Sequence, residues 1–316
     1  MTHTIAIDLG GTVIKIGLLQ EGNLADRSEL VALSASGLQP QLIPLENSIN
    51  QLLTRNLLVA GDLLGIGFSF AGLVNSTSNS IIATNKKYDD GPGIDLPGWA
   101  KKTWNIPLYL ENDAKMALLG EWHYGNGKNC NDLVMVTLGT GIGSAVLING
   151  QLLNGKHFQA GNLGGHFTIN HRGVLCTCGN IGCVEAEAAT WRLPSLIQEH
   201  PGYSNSTLSN ATTLDFNTLF EQVAGKDQVA EEVLAHCISA WSAGIITMIH
   251  AFDPERVILS GGIMKSASKL LPALQEKVNQ HAWTPWGKVT LISAHYPDAA
   301  ALYGADYLVR KRLHHL

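Results

Sequence analysis

One pattern occurs twice, and it constrains most of what the chain can become. Residues 5–19 read IAIDLGGTVIKIGLL and residues 134–148 read VMVTLGTGIGSAVLI. Each sets an L-G-[GT]-[TG] turn between two β-rich runs, so each reads as strand, glycine turn, strand. Two copies of one hairpin point to two lobes built on the same plan. A third glycine turn, in RVILSGGIM at 256–264, follows another strand and precedes a helical pattern.

The remaining segments fit an α/β chain. VIKIGLLQEGNLADRSEL reads as a hairpin closed by Glu21-Gly22-Asn23, and residues 41–60 carry apolar positions at helical spacing. LLGIGFSFAGLV reads as a buried strand leaving on a glycine turn. LYLENDAKMALLGEWHYG reads as a strand entering a helix, with Asn112 or Asp113 at the cap. The polar, Ser/Asn/Thr-rich stretch 193–217 is expected to be a surface excursion. The end of the chain, ALYGADYLVRKRLHHL, has a helical pattern and a basic last turn, which suits the helix dipole.

At 316 residues, two domains are the better expectation, and 45% apolar content is enough for a sizeable core. The net charge of −5, with no basic run, argues against a nucleic-acid surface. MTHTIAIDLGGT lacks the basic and apolar regions of a signal peptide, and no run of about twenty apolar residues stands out. The expectation is a cytoplasmic protein with no membrane span, kept in a reducing compartment.

A glycine turn after a strand lets backbone N–H groups approach phosphate oxygens with no Cβ in the way. In DLGGT, Asp8 can hold Mg²⁺ or its waters, Thr12 can donate to a phosphate oxygen, and Lys15 can add positive charge. One such turn is an ordinary hairpin; three shift the reading to a nucleotide held between lobes. There is no G-x-x-x-x-G-K-[ST], which excludes a P-loop, and DLGGTVIK opens into a strand without GxGxxG spacing, which argues against a Rossmann cofactor site.

Three of the five cysteines fall in CTCGNIGCVE, residues 176–185. A Cys176–Cys178 disulfide would close a strained loop in a reducing compartment, and a redox pair would have two intervening residues. Zinc fits better. Cys176, Cys178 and Cys183 supply three thiolates, and His166, nine residues before Cys176, is preferred over His171 as fourth ligand. A closed Cys₃His shell is structural rather than catalytic. Cys130 and Cys237 stand alone and read as buried thiols.

Taken together, DLGGT, the FAG turn, ENDA, LGTGIG, CTCGNIGCVE and the late SGG run nearly the full length and resemble the ROK family of sugar kinases and sugar-responsive repressors. The resemblance implies a two-lobed actin-like ATPase (ribonuclease H-like) fold with a structural zinc loop. It implies lobes of 1–113, with the C-terminal helix over 300–316 packed back on them, and 114–299, carrying the zinc loop and a homodimer surface. It implies domain closure on the sugar. ATP and Mg²⁺ would be met by Asp8, Gly10, Gly11, Thr12, Lys15, Gly139, Thr140, Gly141 and Gly143, with Gly261 and Gly262 near the base or ribose. Asp113 becomes the expected general base; Gly72, Asn112, Asp113, His166 and Glu185 become sugar-site residues, and His166 the fourth zinc ligand.

Two departures sit around the sugar. Where many kinases of this family carry A-G-E-x-G-H, this chain reads AGNLGGH at 160–166, so Asn162 replaces a carboxylate and one extra glycine precedes His166. The sugar-binding Asn after the FAG strand is displaced by an inserted KKYDDGPG; Asn85 is the candidate, with Asp95 the alternative. The expected function is phosphorylation of a hexose by ATP at the 6-hydroxyl. Glucose comes first, followed by an amino- or N-acetylated hexose or fructose. A repressor of the same family would need a helix-turn-helix ahead of DLGGT, which begins at residue 8. A chaperone-type ATPase would share the hairpins but has no reason to carry the zinc loop.

Overall fold

The computed structural model describes residues 2–314. The chain divides into two compact units: residues 1–129, 153–160 and 294–316, and residues 130–152 and 161–293.

The first unit is built on β1 (His3–Leu9), β2 (Val13–Gln20), β3 (Asn23–Val31) and β4 (Leu63–Phe70), with α1 (Leu42–Arg55) between the last two. A small pair, β5 (Leu73–Asn75) and β6 (Ser80–Ala83), follows, then α2 (Leu96–Trp104), β7 (Leu108–Asn112) and α3 (Asp113–His123). The main sheet has the order β3-β2-β1-β4-β7. β2 runs antiparallel to β1 and β3, while β1, β4 and β7 are parallel. Glu21 and Gly22 both take positive φ, which gives the β2–β3 hairpin the turn matched to strand twist. Every residue of β4 is buried, as expected of a parallel strand covered on both faces. Edge strand β3 instead alternates half-buried and exposed residues.

The second unit repeats this plan with β8 (Leu133–Leu138), β9 (Ile142–Ile148), β10 (Gln151–Leu152) and, after a helical stretch, β11 (Arg256–Ser260) and β12 (Thr290–Ser293). The order is β10-β9-β8-β11-β12, with β9 antiparallel to both neighbours and β8, β11 and β12 parallel. The duplicated hairpin therefore becomes the same corner of two similar sheets. The helices here are α4 (Val184–Ala188), α5 (Leu193–Gln198), α6 (Phe216–Ala224), α7 (Gln228–Phe252) and α8 (Ala267–His281).

One expectation for the second unit is corrected. Residues 193–217 are not a simple surface excursion: they hold α5, two 3₁₀ turns and the start of α6, and bury Leu193, Ile197, Leu208 and Phe216. α7 is long and apolar enough to cross a membrane by length and composition alone. Half of its most apolar window is buried inside the protein, and it packs on α4, α6 and α8, which is how a core helix behaves.

The boundary expected at residue 113 falls at Asn129 instead. The reason is α3, which packs along α9 (Ala300–Arg312) at glycines. A Cβ on Gly120 would meet Ala300 O at 2.0 Å, and one on Gly304 would meet Met116 O at 1.8 Å. α9 also lies on β4, where a Cβ on Gly67 would meet Ala305 O at 2.5 Å. Its buried Asp306 accepts from Thr4 Oγ1 at 2.6 Å, Tyr124 Oη at 2.7 Å and Arg310 Nε at 2.9 Å. A buried ion pair tolerates burial only when its remaining valences are met in this way. The helix expected over 300–316 is thus seen to Arg312, and residues 315–316 lie outside the described residues.

Candidate functional site

In the first unit the β7–α3 junction places ENDA. Asn112 is the N-cap of α3: its Oδ1 accepts from Ala114 N at 3.1 Å and Lys115 N at 3.2 Å, as a capping Asn should. Its amide donates to Gly72 O at 3.0 Å and to Asp113 Oδ1 at 2.9 Å. Asp113 Oδ1 also accepts from Ala114 N at 2.8 Å. Both bonds fall on one oxygen, so Oδ2 has no hydrogen-bond partner among the described residues. Burial pushes the Asp113 carboxyl up to about 6, against the Ala114 N–H, with the nearby Asp8 charge adding to the rise. A carboxylate with one oxygen pinned, one open and a pKa close to neutrality is suited to accept a proton.

Asp8, at the end of β1, accepts from Ser69 Oγ at 3.0 Å. Burial pushes its carboxyl up, while the Lys15 ammonium and the Ser69 hydroxyl hold it down. Lys15 Nζ itself donates to Asp298 O at 2.8 Å. Gly10 is confined: a Cβ there would meet Val13 O at 2.5 Å. Thr12 is exposed at the tip. Gly72 is equally confined, between the Phe70 ring at 2.6 Å and Ala83 O at 2.7 Å from a built Cβ.

Glu111 faces the other way, as strand alternation requires. It is buried, accepts from Asn112 N at 2.9 Å, and is pushed up by burial against that N–H and the Lys115 charge. Lys115 is fully buried and donates to Asn154 Oδ1 at 2.7 Å and Phe158 O at 3.2 Å. These bonds tie residues 153–160 to α3. The sequence carried one signal for this, a lysine on the apolar side of a helix whose first residue is Asp113. Asn85 is exposed on the loop after β6, and Asp95, its alternative, caps α2 by accepting from Gly98 N at 2.9 Å.

In the second unit the L-G-T-G-I-G turn is closed on itself. Gly139 N donates to Gly141 O at 3.0 Å, and Thr190 N and Trp191 N donate to Gly139 O and Thr140 O at 3.1 and 3.4 Å. Gly143 lies in β9 opposite Thr137. Glu185, at the start of α4, turns onto this hairpin: Oε2 accepts from Ile142 N at 2.8 Å and Oε1 from Thr177 Oγ1 at 3.2 Å. A Cβ on Gly141 would meet Glu185 Oε2 at 2.6 Å. Gly261 has φ +95° and would place a Cβ 2.2 Å from Leu138 O, so only glycine fits, while Gly262 is open on its Cα. Asn162 Oδ1 is buried with no hydrogen-bond partner among the described residues. A buried acceptor left unmet costs about 1–3 kcal/mol, which a ligand donor can recover.

The cysteine loop brings His166, Cys176, Cys178 and Cys183 together, their ligand atoms all within 4.8 Å of one another. His171 is exposed and outside this group. Tetrahedral zinc with Zn–S of about 2.3 Å and Zn–N of about 2.0–2.1 Å sets S···S near about 3.8 Å and S···N near about 3.5 Å. Cys178 Sγ lies 3.8 Å from Cys183 Sγ, and Cys176 Sγ lies 3.5 Å from His166 Nδ1. Burial, then the Cys178 and Cys176 thiols, push Cys183 up to about 12, so three neighbouring thiolates need a cation to hold them. The donor set fits zinc. Gly182, at φ +66°, lets the loop wrap: a Cβ there would overlap Asn170 O at 1.5 Å.

The model of the ROK family matches residues 4–312, and the chain belongs to that family. A glucokinase of Thermotoga maritima is 26% identical over 316 residues, covering 98% of each chain. A xylose repressor of Caldicellulosiruptor bescii is 27% identical over 226 residues, 70% of this chain and 56% of the repressor. Among solved structures, a ROK family glucokinase from Streptomyces griseus in complex with glucose and AMPPNP superposes with a TM-score of 0.80. It is 22% identical, and the match covers 98% of this chain and 99% of that one. The α/β fold with mixed sheets described above is the fold of the ROK sugar kinases.

Proposed function

We propose that the chain is a sugar kinase that transfers the terminal phosphoryl group of ATP to a hexose hydroxyl, with Asp113 as general base. The observation that carries this reading is the Asp113 carboxylate. A sugar sensor needs hydroxyl ligands, but it has no use for a carboxylate with a free Oδ2 and a pKa of about 6 beside Asp8.

In this reading Asp113 Oδ2 takes the proton from the attacking hydroxyl as its oxygen bonds the γ-phosphorus and the bond to the β–γ bridging oxygen breaks, releasing ADP, and Asn112 holds Oδ1 so that the open oxygen keeps its aim. Asp8 is the carboxylate that would hold Mg²⁺ or its waters, an ion that neutralises charge on the triphosphate. Gly10, Gly11, Thr12, Gly139, Thr140, Gly141 and Gly143 are assigned to the phosphates, and Gly261 and Gly262 to the nucleoside. Asn162, Glu185, His166 and Asn85 are assigned to the sugar. His166, Cys176, Cys178 and Cys183 would hold a structural zinc that fixes the loop carrying Glu185.

Glucose is the first candidate substrate, supported by the glucokinase relative. Asn162 in place of a carboxylate keeps an N-acetylated hexose in view, because its unpaired Oδ1 accepts an amide N–H as well as a hydroxyl. A cytoplasmic homodimer completes the reading, and light scattering of the purified protein checks the dimer. The decisive experiment is a hexose panel with Mg-ATP. Sugar-dependent ATP consumption is expected, and no turnover with any hexose overturns the kinase reading.

A further inference from the structure

The loop after β6 carries the insertion KKYDDGPG, and none of the roles above uses it. It is pinned firmly over the DLGGT turn. Tyr88 is fully buried; its hydroxyl donates to Gly10 O at 2.8 Å and its N–H to Ser34 O at 2.8 Å. Ser34 Oγ in turn donates to Gly11 O at 2.9 Å. The Asp90 carboxylate accepts from Leu38 N at 2.5 Å and Gln39 N at 2.8 Å.

These bonds consume the carbonyl oxygens of both turn glycines. The N–H groups of Gly11 and Thr12 keep no acceptor among the described residues. Lys86 and Tyr88 both take left-handed backbone, φ 58° and 54°, and so aim the residue between them. The Lys87 side chain lies across the Gly11 face: a Cβ on Gly11 would meet its Nζ at 2.6 Å, Cε at 3.0 Å and Cδ at 3.2 Å. Lys87 is exposed, and its ammonium has no hydrogen-bond or ion-pair partner among the described residues. Lys15, the cation expected to serve the phosphates, is already bonded to Asp298 O.

We propose that Lys87 is a direct ligand of the terminal phosphoryl group of the phosphate donor, acting with the Gly11 and Thr12 N–H groups. The inference rests on the kinase reading and adds a catalytic residue to it. Asp8 and Asp113 repel an incoming triphosphate, and a free ammonium lying across the Gly11 face offsets that repulsion at the group being transferred. A phosphoryl group in flight spreads charge over its equatorial oxygens, where a fixed cation stabilises it.

The test compares wild type, Lys87→Ala and Lys102→Ala by calorimetric titration with Mg-ATP and with Mg-ADP, alongside sugar-dependent ATP consumption. Lys87→Ala is expected to weaken Mg-ATP binding roughly tenfold, the loss of one charge-assisted contact, and to leave Mg-ADP binding unchanged. Its kcat should fall roughly 10²-fold with the KM for sugar unaltered, and Lys87→Arg should restore most of the ATP affinity. Lys102→Ala, an exposed lysine of α2, should match wild type in every measurement. Equal weakening of ATP and ADP, or no change in either, overturns the assignment. A wild type that binds Mg-ATP but turns over no hexose sinks the kinase reading, while the ATP-to-ADP contrast still decides Lys87. A wild type that binds neither nucleotide sinks both.

Discussion

The two glycine turns share one topology and differ in almost everything attached to them. In the first unit the turn after β1 is surrounded by ionisable side chains: Asp8, Lys15, Lys87 and, from α3, Asp113. In the second the turn after β8 is held by backbone bonds from Thr190 and Trp191 and by a single carboxylate, Glu185. The hairpin is a scaffold that presents backbone N–H groups. Charge placed around it makes one copy suited to chemistry, and a cysteine loop braces the other.

Experiments can break this contrast. The largest effect is expected in the first unit: Asp113→Asn should lower kcat about 10²–10⁴-fold while Mg-ATP binds no more weakly than to wild type. Turnover near the wild-type rate would remove the division of labour. Next comes the brace. Cys183→Ser should lose about one zinc per chain, read by metal analysis, and lower the melting temperature; a wild type that is folded and metal-free would refute the zinc assignment. Gly120→Val should destabilise the first unit by about 3 kcal/mol in urea melts, because the added side chain lands on the Ala300 carbonyl.

Two smaller tests sharpen the comparison. The base must be ionised to work, and its pKa is raised to about 6, so kcat should fall as pH drops through that value and stay level above it. Asp8→Asn removes the repelling charge and should move this limb to lower pH in the residual activity, whereas Glu185→Gln, in the second unit, should leave it in place. Thr177→Val, which deletes one hydrogen bond to Glu185, should cost about 1 kcal/mol of stability.

What could be read in advance was local. The duplicated hairpin, the strand-to-helix junction at Asn112 and the clustering of His166 with three cysteines all depend on neighbours in the chain, and each lies where its spacing placed it. The misses are long-range. Leu193, Ile197, Leu208 and Phe216 are apolar residues scattered through a polar stretch, and only their shared burial shows that it is packed. The unit boundary at Asn129 depends on Gly120 and Gly304 meeting across some 180 residues, which no periodicity reveals. The segment 153–160 belongs to the first unit through Lys115, and the placement of Lys87 depends on two left-handed residues that are not glycine.

The closing contact of β1 with α9 has a temporal consequence. Thr4 and the Thr2 carbonyl bond Asp306 and Arg310, so β1 is completed by a helix whose Asp306 is translated 302 residues after Thr4. The second unit, lying entirely within residues 130–293, has its whole sequence available earlier. During synthesis it can close first, leaving β1 and its sheet waiting, with a bare apolar face, for α9. Slowing translation of the codons for α9 should therefore prolong protease sensitivity of residues 1–129 far more than that of the cysteine loop.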